Sequence, residues 1–241
     1  MGCDELSNFT AMFLSEEMQH AFDVESELTR LEEALFRNLQ QMNPSNFSLI
    51  CFALTAGQEN LYKRLTMDKL LESASDNVIS WLKADKIPDE NDLVNIAAAY
   101  SSRHGIIKVD SSYSELMETT VLKKSQTLNV EQAIKFVEYL GHTAGPELIE
   151  VCDRIVGVNA ENISVDDAFT ALCAFLNAKA HVRPKIKESL IKKVSNNFEQ
   201  LENRHLITFA DILMSTDRSD MITSNEIDKF LLSRLNSLSP S

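Results

Sequence analysis

The sequence predicts an all-α protein, specifically an α-solenoid of about six stacked helix-turn-helix repeats with a period of 35–45 residues. Two observations lead to this prediction. Five segments share one pattern, in which an apolar residue precedes a short polar stretch and then an apolar helix of about three turns. The 241 residues also contain only 6 Gly and 5 Pro, too few for the many turns of a sandwich or a barrel.

The five repeat segments begin with apolar residues spaced along the chain. Their opening residues are Met42, Ile87, Leu128, Ile163 and Leu201. The residues nine and twelve positions later are all apolar. They are Cys51, Ile96, Val137, Leu172 and Ala210, then Leu54, Ala99, Leu140, Phe175 and Leu213. A three-residue step keeps both positions on one helical face, so we expect that face to be buried. Residues 4–13 resemble 91–100 and form a truncated sixth copy.

A second helix is expected after each first helix. The predicted second helices are 24–39, 67–82, 113–124, 146–156, 184–198 and 224–238. The chain then forms a single repeat domain with no boundary inside it. The expected repeats are 1–41, 42–86, 87–127, 128–162, 163–200 and 201–241. A helix pair cannot bury its apolar face alone, whereas stacked pairs bury a continuous core.

Residues typical of helix ends support these positions. Ser164 and Asp167 have the spacing of a helix-capping residue and an acid three positions later. The prolines expected in first turns, where a missing N–H costs nothing, are Pro88, Pro146 and Pro184. The glycines expected to close helices in a left-handed conformation are Gly105, Gly141 and Gly157.

The repeat motif resembles that of a known group of proteins. The run from Asp92 to Tyr100 (DLVNIAAAY), echoed from Glu5 to Met12 (ELSNFTAM), resembles the degenerate helical repeats of FAST-kinase-like, RAP-domain and octotricopeptide proteins. The resemblance covers nearly the whole chain, but its motif is only a few residues long. It implies a helical-repeat fold and a location in an organelle, chiefly the mitochondrion or the plastid. We expect a mitochondrial protein, with the cytoplasm as the alternative location.

Two functions follow from this resemblance. Some such proteins act on RNA, and related protist repeats occur as subunits of large mitochondrial complexes. No RAP module follows the last predicted helix, and the net charge of −13 is opposite in sign to that of RNA-binding members. We therefore expect a non-enzymatic scaffold that binds other protein subunits, with RNA binding as the alternative.

Charge is distributed unevenly along the chain. The 36 Asp and Glu outnumber the 23 Lys and Arg, which argues against general nucleic-acid binding because phosphate contacts need a cationic surface. Residues 1–60 carry ten acids and two bases. The opposite holds in a cationic segment, where Glu188 is the only acid. Its cations are Lys179, Arg183, Lys185, Lys187, Lys192 and Lys193. This segment is either a solvated helix face or a docking surface for an acidic partner, an anionic lipid headgroup or phosphate.

A second candidate site lies at 215–226, where the sequence resembles a degenerate EF-hand loop. Such a loop needs oxygen ligands at its first, third and fifth positions, glycine at the sixth and a bidentate glutamate at the twelfth. Asp217 and Glu226 fit, whereas Ser215 and Asp220 depart from the first and sixth positions. Calcium binding is one interpretation, and a polar loop before a capped helix is the other.

The sequence contains no recognisable catalytic or metal-binding motif. Its cysteines are Cys3, Cys51, Cys152 and Cys173, without CxxC or zinc spacing, and the last three are expected to be buried free thiols. The five His form no HExxH pair, and no phosphate-binding loop or nucleophile elbow occurs. We expect no enzyme activity, metal or cofactor. We also expect no membrane span, since no apolar run approaches about 20 residues.

Overall fold

The computed structural model describes residues 2–13, 24–55, 61–101, 107, 112–178 and 183–215, together with residues 229 and 232. This part of the chain is helical and contains no strand, which confirms the all-α prediction. Its helices are α1 (Cys3–Phe13), α2 (Val24–Asn38), α3 (Pro44–Thr55), α4 (Leu61–Lys83), α5 (Glu90–Ser101), α6 (Ser112–Lys123), α7 (Val130–Leu140), α8 (Pro146–Asn159), α9 (Val165–Asn177), α10 (Pro184–Ser195) and α11 (Asn203–Ser215).

The helices pack in two series. In the odd series, α1 packs against α3, α3 against α5, α5 against α7 and α7 against α9. In the even series, α2 packs against α4, and the same step repeats through α6 and α8 to α10. Each odd helix from α1 to α9 also contacts the even helix that follows it. Helix α11 extends the odd series, because Phe169 of α9 stacks on His205 and meets Phe209 edge-on, with ring centroids 4.7 Å and 6.5 Å apart.

The residues that the repeat alignment singles out form the core between the two series. All five opening residues are buried. Of the ten residues nine and twelve positions later, nine are buried and Ala210 is partly buried. The largest fully buried side chains are Phe47, Phe136, Phe175 and Phe209, all on odd helices. The predicted buried face is therefore confirmed for the odd series.

Several predicted helix ends differ from the structure. The helix predicted at 67–82 begins at Leu61, because residues 61–66 contain no glycine or proline and continue the helix. Pro146 and Pro184 occupy first turns as predicted, but α5 begins at Glu90, so Pro88 lies before its helix. The Ser164 hydroxyl accepts a hydrogen bond from the Asp167 N–H at 3.0 Å, which confirms that cap.

The prediction of left-handed closing glycines is wrong at two positions. Gly141 has φ −55° and is right-handed. Gly157 lies inside α8 rather than after it. A Cβ at Gly157 would collide with Cδ1 of Ile186 on α10, so this glycine allows two helices to approach closely. Gly105 and the helix predicted at 224–238 fall outside the described residues, apart from residues 229 and 232.

No helix in the described part of the chain combines the length and apolar composition that crossing a membrane requires.

Candidate partner-binding surface

The cationic segment lies mainly on α10. Arg183 is the residue that precedes the helix, and Lys192 and Lys193 lie in its last turn. Lys179 falls outside the described residues. The structure therefore places five of the six predicted cations, and their surroundings differ.

Arg183 is committed to a structural ion pair. Its Nε–H donates to Oδ2 of Asp153 on α8, whose side chain is 2% exposed. A buried carboxylate is costly unless a positive group neutralises it. One turn later on α8, the side chain of Ile186 from α10 packs closely against Gly157, where a Cβ atom would leave no room for it. We call these four residues, Asp153, Gly157, Arg183 and Ile186, the α8–α10 joint.

Lys193 is also engaged within the fold. Its Nζ donates a hydrogen bond to the backbone carbonyl of Glu161 at 2.8 Å. Glu161 lies just after the end of α8, where helix carbonyls lack partners inside the helix and attract cations. Lys193 thus holds α10 against the end of α8.

The remaining lysines divide between two sides of α10. Lys185 and Lys192 are both exposed, and their seven-residue spacing places them on one face, with Glu188 between them. Lys187 is only partly exposed and shares the opposite side with the buried Ile191 and Val194. None of the three lysines forms an ion pair with a residue that the structure describes. The structure therefore brings two cations of the segment together on one exposed face.

A second feature, which the sequence reasoning missed, joins neighbouring helices of the odd series. Polar side chains near the helix N-termini form hydrogen bonds between successive odd helices from α1 to α7, and we call this set the polar ladder. Its bonds are Asn46 Nδ2 to Asp4 Oδ1 (2.8 Å), Ser45 Oγ to Asp92 Oδ2 (2.6 Å), Asn95 Nδ2 to Ser48 Oγ (3.1 Å) and Gln132 Nε2 to Asn91 Oδ1 (2.9 Å). The recurring Asn, Asp and Ser after each opening residue were the available sequence signal.

One further bond of this kind perturbs an acid. The Thr127 hydroxyl, just before α7, donates to Oε1 of Glu90 at the start of α5, at 2.6 Å. This bond is the largest cause that holds the pKa of Glu90 below its usual value, with a backbone hydrogen bond next and the Lys124 charge contributing. Glu90 is therefore stabilised as a carboxylate at the α5–α7 contact.

The free cysteines are poor candidates for nucleophiles. Cys51 and Cys152 are buried as predicted, whereas Cys173 is only partly buried, which corrects the prediction. Burial raises the pKa of Cys51, and burial followed by the Asp153 charge raises the pKa of Cys152 to about 12. Burial followed by the Glu138 charge also raises the pKa of Cys173. Since the thiolate is the reactive form, these three side chains are held in the unreactive one.

Metal binding receives no support from the described residues. No group of three His, Cys, Asp or Glu side chains among them is placed to hold a metal ion. Of the loop at 215–226, only Ser215 lies among the described residues, so calcium binding stays a prediction.

Comparison with known proteins returns no match to a family model, a curated protein or a solved structure.

Proposed function

We propose that the chain is a short α-solenoid that acts as a non-enzymatic scaffold for other proteins. The observation that supports this is the repetition of one buried register in successive odd-series helices, each packed against the next. A stacked repeat architecture offers an extended surface, because each unit contacts only its neighbours and leaves its outer faces free. Such a surface suits a subunit or an assembly factor of a larger complex.

We further propose that this complex is mitochondrial, which rests on the resemblance of the repeat motif to organellar helical-repeat proteins. Imaging and fractionation of the tagged full chain test this location. Co-fractionation with mitochondria is expected, and a purely cytosolic signal would contradict the proposal.

The partner surface that we propose is the exposed face of α10 with Lys185 and Lys192. Both lysines project from one side of the helix, and neither pairs with a described acid. Arg183 and Lys193 are excluded because the α8–α10 contact uses them. An acidic segment of another protein is the matching partner, since exposed lysines steer and orient association with carboxylates.

Affinity purification of the tagged full chain, followed by mass spectrometry, tests the scaffold proposal. A specific and reproducible set of partners is expected. The variant K185E/K192E should lose a partner, while K83E/K123E, with the same charge change at exposed lysines on α4 and α6, should retain it. Absence of any specific partner would contradict the scaffold, and full retention by K185E/K192E would exclude the α10 face.

RNA binding and calcium binding are the alternatives that separate experiments decide. Retention on RNA that weakens steeply with salt would favour the RNA alternative. The structure supports protein over RNA, because only two cations of the segment share an exposed described face. A rise in melting temperature on adding Ca²⁺ would favour the calcium alternative, since a ligand bound only by the folded state stabilises it.

A further inference from the structure

Ile207 of α11 is exposed at a position that is buried in the other repeats. It lies six residues after the opening residue Leu201, and its side chain is 59% exposed. The matching residues of the earlier repeats are all buried. They are Ser48, Leu93, Ile134 and Phe169. Isolated apolar residues are common on protein surfaces, but this exposure departs from a repeated register.

The contacts of the matching residues show what covers this position. Ser48 of α3 accepts a hydrogen bond from Asn95 of the next odd helix, α5. Phe169 of α9 is covered by His205 and Phe209 of the next odd helix, α11. The position therefore faces the following helix of the odd series. No helix in the described part of the chain packs on this side of α11, and Ile207 is exposed there.

The residues around Ile207 form a stripe of mixed charge. Arg204, Thr208, Asp211 and Ser215 are exposed, and their spacing of three, four and seven residues places them on the same side of α11. Arg204 pairs with Glu202 at 2.8 Å, but both side chains are well exposed, so this pair contributes little and exchanges readily. We call Arg204, Ile207, Thr208, Asp211 and Ser215 the α11 face.

The α11 face is complementary to itself. The midpoint between Arg204 and Asp211 falls between Ile207 and Thr208. If two copies pack their α11 helices antiparallel about a two-fold axis through that midpoint, Arg204 of each copy faces Asp211 of the other. The same arrangement places the two Ile207 side chains together at the centre, away from water. A parallel arrangement would oppose like charges instead.

We propose that the α11 face is the docking site for a second copy of this chain, in an antiparallel two-fold dimer. The second copy's α11 takes the place of a next odd helix, but it runs in the opposite direction to the parallel helices of the odd series. Two-fold dimers are the commonest assemblies of identical chains because one self-complementary surface suffices. A contact between single helices is smaller than the roughly 800 Å² per partner of standard interfaces, so the dimer is weak and concentration-dependent.

This dimer is separate from the proposed partner surface on α10. The exposure of Ile207 departs from the same buried register on which the scaffold proposal rests, but the test of the dimer measures self-association alone. A chain that binds its partners as a monomer would therefore overturn the dimer and leave the scaffold proposal intact.

Sedimentation velocity of the full chain at low salt, from low to high micromolar concentration, tests the proposal. The sedimentation coefficient should rise with concentration for the wild type. I207E should remove this rise, because two carboxylates would meet at the centre of the contact. V158E is the matched control: Val158 is 79% exposed on α8, outside the α11 face, and its replacement should leave the rise unchanged. A wild type that stays monomeric, or an I207E variant that still dimerises, would overturn the proposal.

Charge exchange tests the antiparallel geometry. R204D and D211R should each weaken dimerisation, because each places like charges opposite one another. The double variant R204D/D211R should restore it, since the exchanged charges again face their opposites. Failure of the double variant to recover, with an unchanged circular-dichroism melting curve, would overturn the two-fold arrangement.

Discussion

The polar ladder and the α8–α10 joint connect neighbouring helices by different means. The ladder uses hydrogen bonds at the N-termini of odd helices, and most of its side chains are exposed or partly exposed. The joint uses a buried carboxylate, its arginine and a glycine contact between even helices. Water can replace a lost ladder bond, whereas it cannot reach Asp153 readily. The ladder therefore fixes the register of stacking at low energetic cost, and the joint is the stricter contact.

Removal of the arginine of the joint should have the largest effect. R183M leaves the buried Asp153 carboxylate without its partner, and we expect a loss of about 2 kcal/mol in the free energy of unfolding. This is below the roughly 3–5 kcal/mol for fully buried pairs because Arg183 is half-exposed. Urea denaturation of the purified chain measures the loss.

The matched variant for this prediction is D153N/R183M. It removes the buried charge together with its partner, so we expect it to recover part of the stability that R183M loses. Equal stability of R183M and D153N/R183M would show that the unpaired Asp153 carboxylate does not destabilise the fold. The contrast between the joint and the ladder would then disappear.

The next largest effect is expected at a buried member of the ladder. Gln132 accepts from the Asn129 N–H at 3.0 Å and donates to Asn91 on α5. Q132A should reduce the free energy of unfolding by about 1 kcal/mol, since it removes a reciprocal cap and an interhelical bond. Thermal unfolding of Q132A beside E131A, which loses only an exposed pair with Lys135, measures this. Similar losses in both variants would argue that the bond to α5 contributes nothing.

The effect of replacing Gly157 on stability should depend on the side chain at position 186. G157A places a methyl group against Cδ1 of Ile186, and we expect a net loss of up to about 1 kcal/mol, since overpacking outweighs the gain in helix propensity. In an I186V background, which lacks that Cδ1 atom, the same substitution should become stabilising. Chemical denaturation of the four proteins measures this change of sign. If G157A changed the free energy of unfolding equally in the wild type and in I186V, the contact with Cδ1 of Ile186 would not be the cause of the loss.

The smallest effect is expected at Thr127 and should depend on pH. The lowered pKa of Glu90 means that its carboxylate stabilises the fold above the usual glutamate range and loses that effect as pH falls through its folded pKa. T127V should therefore cost about 0.5 kcal/mol near neutral pH and less in acid. Melting temperatures from neutral to acidic pH measure this difference. T119V is the control, because the hydrogen bond of the Thr119 hydroxyl lies within α6. If T127V and T119V showed the same dependence of melting temperature on pH, the Thr127 bond would not be the cause of the lowered pKa of Glu90.

Sequence periodicity predicted the odd series better than the even series. Odd helices are covered by neighbours on several sides, so their apolar residues recur at fixed offsets, as Cys51, Ile96 and Val137 do. Even helices expose a broad face, and their ends depend less on a repeated pattern. The start of α4 illustrates this, because the helix predicted at 67–82 begins at Leu61.

The candidate surface shows the limit of sequence reasoning more clearly. Six cations close together in the sequence suggested one patch, but Arg183 turns to Asp153, 30 residues earlier, and Lys193 turns to Glu161. Such partners depend on how α10 packs on α8, which no local spacing encodes. Gly157 was misread for the same reason, since its role is a contact with another helix.

The sequence alone determined the all-helical class, the buried register of the odd helices and the location of the cations, because these follow from helical periodicity and composition. Only the tertiary structure decided which cations remain on an exposed face, which polar residues join neighbouring helices and that Ile207 is exposed. Those properties depend on which helix faces lie against one another, and residues far apart in the chain establish that together.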